Sequence, residues 1–90
     1  MKIYDNASWH IDAGEDEEEV VSKFKVFFEY LKNNNMLTEE GLEVYEYCMD
    51  SSVTLHERLV TCEGNEFLSE KYDELINYNS DKIRELLNNQ

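Results

Sequence analysis

The sequence predicts a small all-α fold: four to five short helices around one core, preceded by an irregular N-terminal arm. Three observations lead there. The chain contains no proline and only three glycines, where average usage would supply about four or five and about six. Sharp turns are therefore scarce, which disfavours a many-stranded β fold. Apolar residues recur at helical spacing over most of the chain, and Thr, Ser or Asn stands at the ends of these stretches, as helix termini require. The length of 90 residues suits one domain, residues 1–90, with 1–14 as its arm.

Met1 to Gly14 (MKIYDNASWHIDAG) has no clear period. Ile3, Tyr4, Trp9 and Ile11 are expected to supply core contacts, with Trp9 as the packing anchor of the arm; a short strand here stays open. The first helix is expected from about Glu15 to Lys32, burying Val20, Phe24, Phe27, Phe28 and Leu31, with Val21 widening the stripe. The run Glu15–Glu19 suits the positive end of its dipole and Lys32 the negative end. Asn33-Asn34-Asn35 then stops it.

Thr38 is the expected N-cap of a second helix, Glu39 to Met49, with Leu42, Tyr45 and Met49 inward. Thr54-Leu55-His56-Glu57 has the capping-box form and predicts a short third helix through Leu55, Leu59 and Val60. Thr61 or Gly64 marks a break. The fourth helix, about Asn65 to Asn77, turns Leu68, Tyr72, Leu75 and Ile76 inward, with Phe67 beside them. Ser80 caps a last turn or two through Ile83, Leu86 and Leu87.

Charge dominates the composition. Eight Lys and Arg stand against 21 Asp and Glu, for a net charge of −13. Nucleic acid and anionic membrane are excluded as partners, because both need clustered cations. No apolar run reaches the roughly 18 residues of a membrane span, and the arm lacks the apolar core of a signal peptide. Cys48 and Cys62 are too few for a disulfide scaffold and read as reduced, partly buried thiols, the pattern of a cytoplasmic protein. The hydrophobic content of 41% and aromatic content of 12% call for a packed core rather than a disordered acidic chain.

The acid is patterned. Glu39, Glu43, Glu46 and Asp50 follow at spacings of four, three and four, which puts them on one face of the second helix, with Glu40 beside them. No Lys or Arg occurs between Lys32 and Arg58. Glu63, Glu66, Glu70 and Glu74 repeat the arrangement on the fourth helix, near Asp73, with Lys71 as the one base in that stretch. Like charges at this spacing each cost ~0.2–0.5 kcal/mol in an isolated helix, so two stripes together cost on the order of 1–2 kcal/mol before salt screening. They read in two ways: as solvated faces that keep the protein soluble, or as docking surfaces that speed encounter with a basic protein partner. Tyr30, Tyr45 and Tyr47 favour the second, since tyrosine is a common interface anchor; Tyr45 is expected in the core and Tyr47 on the acidic face. An exposed Phe or Tyr patch equally allows a homodimer.

Catalysis finds no motif. His10 stands near Asp12 and His56 beside Glu57, but nothing in their spacing to Ser51, Ser52 or Cys48 requires a nucleophile–base pair. His56 reads as a surface or cap residue. Asp12-Ala13-Gly14-Glu15-Asp16 departs from a calcium loop, Cys48, His56 and Cys62 lack a fourth zinc ligand, and phosphate-binding glycine loops are missing. No cofactor, metal or enzyme activity is expected.

The opening Trp9-His10-Ile11-Asp12-Ala13-Gly14 resembles the W-H-x-D/E-G openings of small bacterial proteins, some encoded beside toxins. Ser52-Val53-Thr54-Leu55-His56-Glu57-Arg58-Leu59 also has the look of a family signature. In length, acidity and helical pattern the chain is similar to bacterial immunity proteins. That resemblance implies a protein that blocks one cognate toxin, such as a basic nuclease, by laying carboxylates over a site built for phosphates. The expected partner face is Glu39, Glu43, Glu46, Tyr47 and Asp50, with Glu63, Glu66, Glu70 and Glu74 second. A DNA-mimicking regulator and a structural module kept soluble by charge are the alternatives.

Overall fold

The stretches with helical periodicity form helices, but the arm and the segment before residue 60 do not behave as the sequence predicts. The computed structural model describes residues 1–89 and runs β1 (Ile3–Asn6), α1 (Ala7–Asp12), α2 (Glu17–Asn33), α3 (Glu39–Tyr47), β2 (Thr54–His56), a 3-10 turn (Glu57–Leu59), α4 (Cys62–Leu75) and α5 (Ser80–Asn88). The architecture is mostly helical with a small two-stranded antiparallel sheet, so it is not purely all-α.

The core forms around α2. Val20, Phe24, Phe27, Phe28 and Leu31 are buried as the spacing predicts, and Val26 joins them. Phe27 stacks at 4.8 Å on Tyr72 of α4, and Tyr30 at 4.8 Å on Phe67. Leu68, Leu75 and Ile76 from the α4 side, Ile83 and Leu87 from α5, and Leu55 and Leu59 complete it. Asp16 caps α2 by accepting from the Glu19 N–H at 3.0 Å, which moves the helix start two residues past the expected Glu15. Asn35 ends it in the left-handed region (φ 57°), a conformation asparagine tolerates better than most residues.

The irregular arm is instead a strand and a helix. Ile3 pairs with His56, Asp5 with Leu55 and Asn6 with Thr54, and a bulge between Ile3 and Asp5 resets the register. This pairing overturns the predicted third helix. The two residues of the supposed capping box turn to the arm instead: Asn6 donates its side-chain amide to Thr54 Oγ1 at 2.5 Å, and Lys2 donates its backbone N–H to Glu57 Oε1 at 2.9 Å. Val53 and Leu55 face inward while Thr54 and His56 are half-buried, which is strand alternation. His56 caps the 3-10 turn, its Nδ1 accepting from the Arg58 N–H.

Two further helices differ at their ends. Of the two breaks the sequence offers, Thr61 is the one used: it acts as the N-cap of α4, accepting from the Gly64 N–H, so the helix begins at Cys62 rather than Asn65 and Gly64 lies within it. Asn79, not Ser80, caps α5, and Ser80 bonds through both its N–H and hydroxyl to the Glu19 carboxylate. Thr38 caps α3 as expected, but the helix stops at Tyr47, leaving Met49 and Asp50 beyond its end.

A polar chain crosses the apolar interior. Asp5, only 7% exposed, accepts from the Tyr72 hydroxyl at 2.6 Å, and His10 Nε2 lies 2.5 Å from the same Oδ2. His10 Nδ1 meets Glu15 Oε2 at 2.8 Å, and Glu15 Oε1 is paired with Lys23 at 3.5 Å. Lys23, buried on α2, also donates to the Ile76 carbonyl at 3.1 Å. Burial, followed by the charge and hydrogen bond of Asp5, raises the Tyr72 pKa, so the hydroxyl stays a donor.

Two outcomes are expected. Tyr72→Phe leaves a buried carboxylate short of a donor and lowers stability by about 1.5–3 kcal/mol in urea unfolding. At Gly41 an added methyl would meet the Leu59 carbonyl oxygen at 2.1 Å. Gly41→Ala is therefore expected to destabilise by about 1–2 kcal/mol, the overpacking cost outweighing the roughly 1 kcal/mol gain in helix propensity.

Candidate functional site

The carboxylates named from sequence fall into two groups, fixed by the elements that carry them. Glu39, Glu43 and Glu46 are exposed along α3, and Glu63, Glu66, Glu70 and Glu74 are exposed along α4. Among the described residues none of these seven is ion-paired. Neither helix carries a base in its last turn to offset the negative end of its dipole. The apolar faces explain the orientation: Gly41 abuts the Leu59 backbone, and Phe67, Leu68, Tyr72 and Leu75 are buried, so the remaining arc of each helix is left to solvent.

Asp50 is not on the α3 stripe. Past the helix end, it accepts from the Ser52 N–H at 2.9 Å and from the Ser52 hydroxyl at 2.7 Å. Those two bonds, hydroxyl first, hold its carboxyl below the usual aspartate range. The turn carries Asp50 beside α2. There it borders a depression with Glu17, Glu18, Val21, Ser22, Lys25 and Ser51. Lys25 also lines a neighbouring depression with Tyr45, Glu46, Tyr47 and Met49. Tyr47 is 80% exposed. Glu39 and Glu43 border a different hollow, beside Glu40 and Leu42.

The fold thus gathers Glu46, Tyr47 and Asp50 with Glu17 and Glu18 around Lys25. From sequence, Glu17 and Glu18 belong to the acidic run that suits the helix dipole. The signal was present: Glu18, Val21, Ser22 and Lys25 form the arc of α2 opposite Val20, Phe24, Phe27 and Leu31. The rest of the acidic run is occupied, Glu15 with His10 and Lys23, Asp16 as a cap and Glu19 with Ser80.

Tyr45 is half-buried against the core, with the Lys32 ammonium 5.6 Å from its ring centre. Other expectations require correction. Trp9 is 56% exposed and Ile3 is exposed, so neither anchors the arm; Ala7, Tyr4 and Ile11 make its apolar contacts, because the short α1 turns Ala7 inward. Cys48 and Cys62 are exposed rather than partly buried, since each lies at a helix end, Cys48 closing α3 and Cys62 opening α4. No group of three or more His, Cys, Asp or Glu side chains among the described residues is arranged to hold a metal ion. No described helix is long and apolar enough to cross a membrane.

Comparison of the chain with protein-family models, curated proteins and solved structures finds no match.

The exposure of both thiols has a direct readout. Under native conditions a thiol reagent such as Ellman's is expected to titrate Cys48 and Cys62 in one fast phase, at a rate that denaturant changes little.

Proposed function

We propose that this chain is a non-enzymatic binding protein that docks a basic protein partner, acting as an immunity-type inhibitor of a toxin such as a nuclease. One observation carries this reading. Glu46, Tyr47 and Asp50, expected as a partner face from sequence, lie with Glu17 and Glu18 around two adjoining depressions, and Tyr47 stands almost free in solvent. An aromatic side chain with a polar tip amid unpaired carboxylates is the composition of an interface anchor set in a steering field.

The chemistry needed is modest. A nuclease surface built for phosphates presents lysines and arginines, and carboxylates satisfy them by charge-assisted hydrogen bonds. The like-charge repulsion within the α3 and α4 ridges is relieved when a cationic surface covers them. Tyr47 then supplies apolar contact, which charge alone does not. Such an inhibitor blocks by occupancy.

The test combines kinetics with a fold control. Glu43→Lys with Glu46→Lys is expected to slow association with a captured basic partner by about tenfold or more at low salt, with the circular dichroism spectrum unchanged. Tyr47→Ala is expected to speed dissociation instead. Association of the double variant at the wild-type rate would remove α3 from the interface.

A further inference from the structure

We infer that His10 is the pin of a pH-gated clasp: protonated, its ring holds α1 and residues 13–16 against β1 and α2, and its deprotonation frees α1 locally. The inference is independent of the partner surface and rests on what the two ring nitrogens face.

Both nitrogens meet carboxylate oxygens, Nε2 that of Asp5 and Nδ1 that of Glu15. A neutral imidazole has one N–H and one lone pair. In either tautomer it would turn a lone pair toward one of the two carboxylates and lose that bond. Only the imidazolium donates to both. The groups that face it come from every neighbouring element: Asp5 from β1, Glu15 from the turn, Phe24 and Lys23 from α2, and Tyr72 from α4 through the shared Asp5 oxygen. Lys23 stands one step removed, on the other oxygen of Glu15. The two carboxylates in contact outweigh it.

The proton balance agrees with this geometry. Burial by itself would lower the His10 pKa, but the hydrogen bonds and charges of Asp5 and Glu15 raise it above the ordinary 6.5. A raised folded-state pKa places the clasp's contribution in full below the ordinary value, and it is lost as pH rises through the folded one. Glu15, held below its ordinary range chiefly by its bond to His10, sets the other limit: its contribution is lost as pH falls through its depressed value.

Release is local because α1 has little else to hold it. It has six residues, too few for an isolated helix to persist. Apart from Ala7, which is buried and donates to the Val53 carbonyl, and half-buried Ile11, its apolar anchoring is slight, and Trp9 faces solvent. β1 by contrast keeps its pairing with β2, and Lys2 just before it exchanges two bonds with Glu57, its N–H donating to the carboxylate and its carbonyl accepting from the Glu57 N–H. The least-anchored segment opens first.

Trp9 is the only tryptophan and lies next to His10, so it reports on α1 alone. The experiment follows Trp9 fluorescence anisotropy, the His10 imidazole resonances and far-UV circular dichroism from about pH 6 to about pH 9. The expected result is a His10 midpoint above that of an ordinary histidine, a fall in Trp9 anisotropy at the same midpoint, and retention of most helical signal. His10→Gln is expected to abolish the step and His56→Gln to keep it. His10 titrating at or below the ordinary range, anisotropy flat through its titration, or loss of the whole helical signal at that midpoint would overturn the clasp. If His10→Gln fails to fold, the wild-type titration alone decides.

Discussion

A single buried carboxylate organises the joins between elements. Asp5 sits where β1, α1 and α4 converge, and its Oδ2 serves both Tyr72 and His10, while its Oδ1 accepts from the Asn6 N–H. A charge at that depth is tolerable only because donors surround it, since an unpaired buried carboxylate would cost several kcal/mol. The requirement works in both directions. The donors sit on three different elements, β1, α1 and α4, so placing Asp5 ties the end of β1, α1 and the Tyr72 face of α4 to one point. Apolar packing around Phe24, Phe27 and Phe28 supplies the greater stabilisation, but it is non-directional. Hydrogen bonds to Asp5 supply the orientation.

The helices were legible and the sheet was not, for a definable reason. Val20, Phe24, Phe27, Phe28 and Leu31 announce their helix by spacing alone, because a seventeen-residue element repeats its period several times. β1 and β2 have four and three residues. At that length alternation cannot be told from chance, and the pairing that creates them joins residues about fifty positions apart. Thr54 and Glu57 show how a local rule loses to a distant partner: a sound capping-box pattern was available, and Asn6 and Lys2 took both side chains. The same holds for the proposed partner surface. Helical spacing puts Glu46 and Tyr47 on the exposed side of α3, where the structure has them, but Asp50 reaches Glu17 and Glu18 only because α3 ends at Tyr47 and a turn held by Asp50 and Ser52 follows.

The acidic residues divide by task. Asp5, Glu15, Asp16, Glu19 and Glu57 each accept hydrogen bonds that fix a join or a cap. Glu40 on α3 lies 3.7 Å from His56 Nε2, and the exposed glutamates Glu39, Glu43, Glu46, Glu63, Glu66, Glu70 and Glu74 do neither. The cations divide in a parallel way, Lys23 with Glu15, Lys82 with Glu85, Arg84 with Asp81, and Lys2 and Lys32 over the rings of Tyr4 and Tyr45. Most of the positive charge is thus spent locally, and the two ridges stay unneutralised although bases exist elsewhere in the chain.

Geometry then matters more than the total charge of −13. The protein measures 32 × 27 × 22 Å, whereas charges in physiological salt are felt over only about 8 Å. A cationic partner of the kind proposed responds to the ridge nearest it and is screened from those on the far side. Even spreading of the same carboxylates would give equal net charge and a weaker local field. What distinguishes one face from another at that range is what lies among the carboxylates. Around Lys25 a nearly free tyrosine stands with Glu17, Glu18, Glu46 and Asp50, and apolar contact becomes available where the field is strong. Along α4 the exposed glutamates offer field alone. The two ridges are thereby unequal, and a partner that must be held as well as attracted is served by the first.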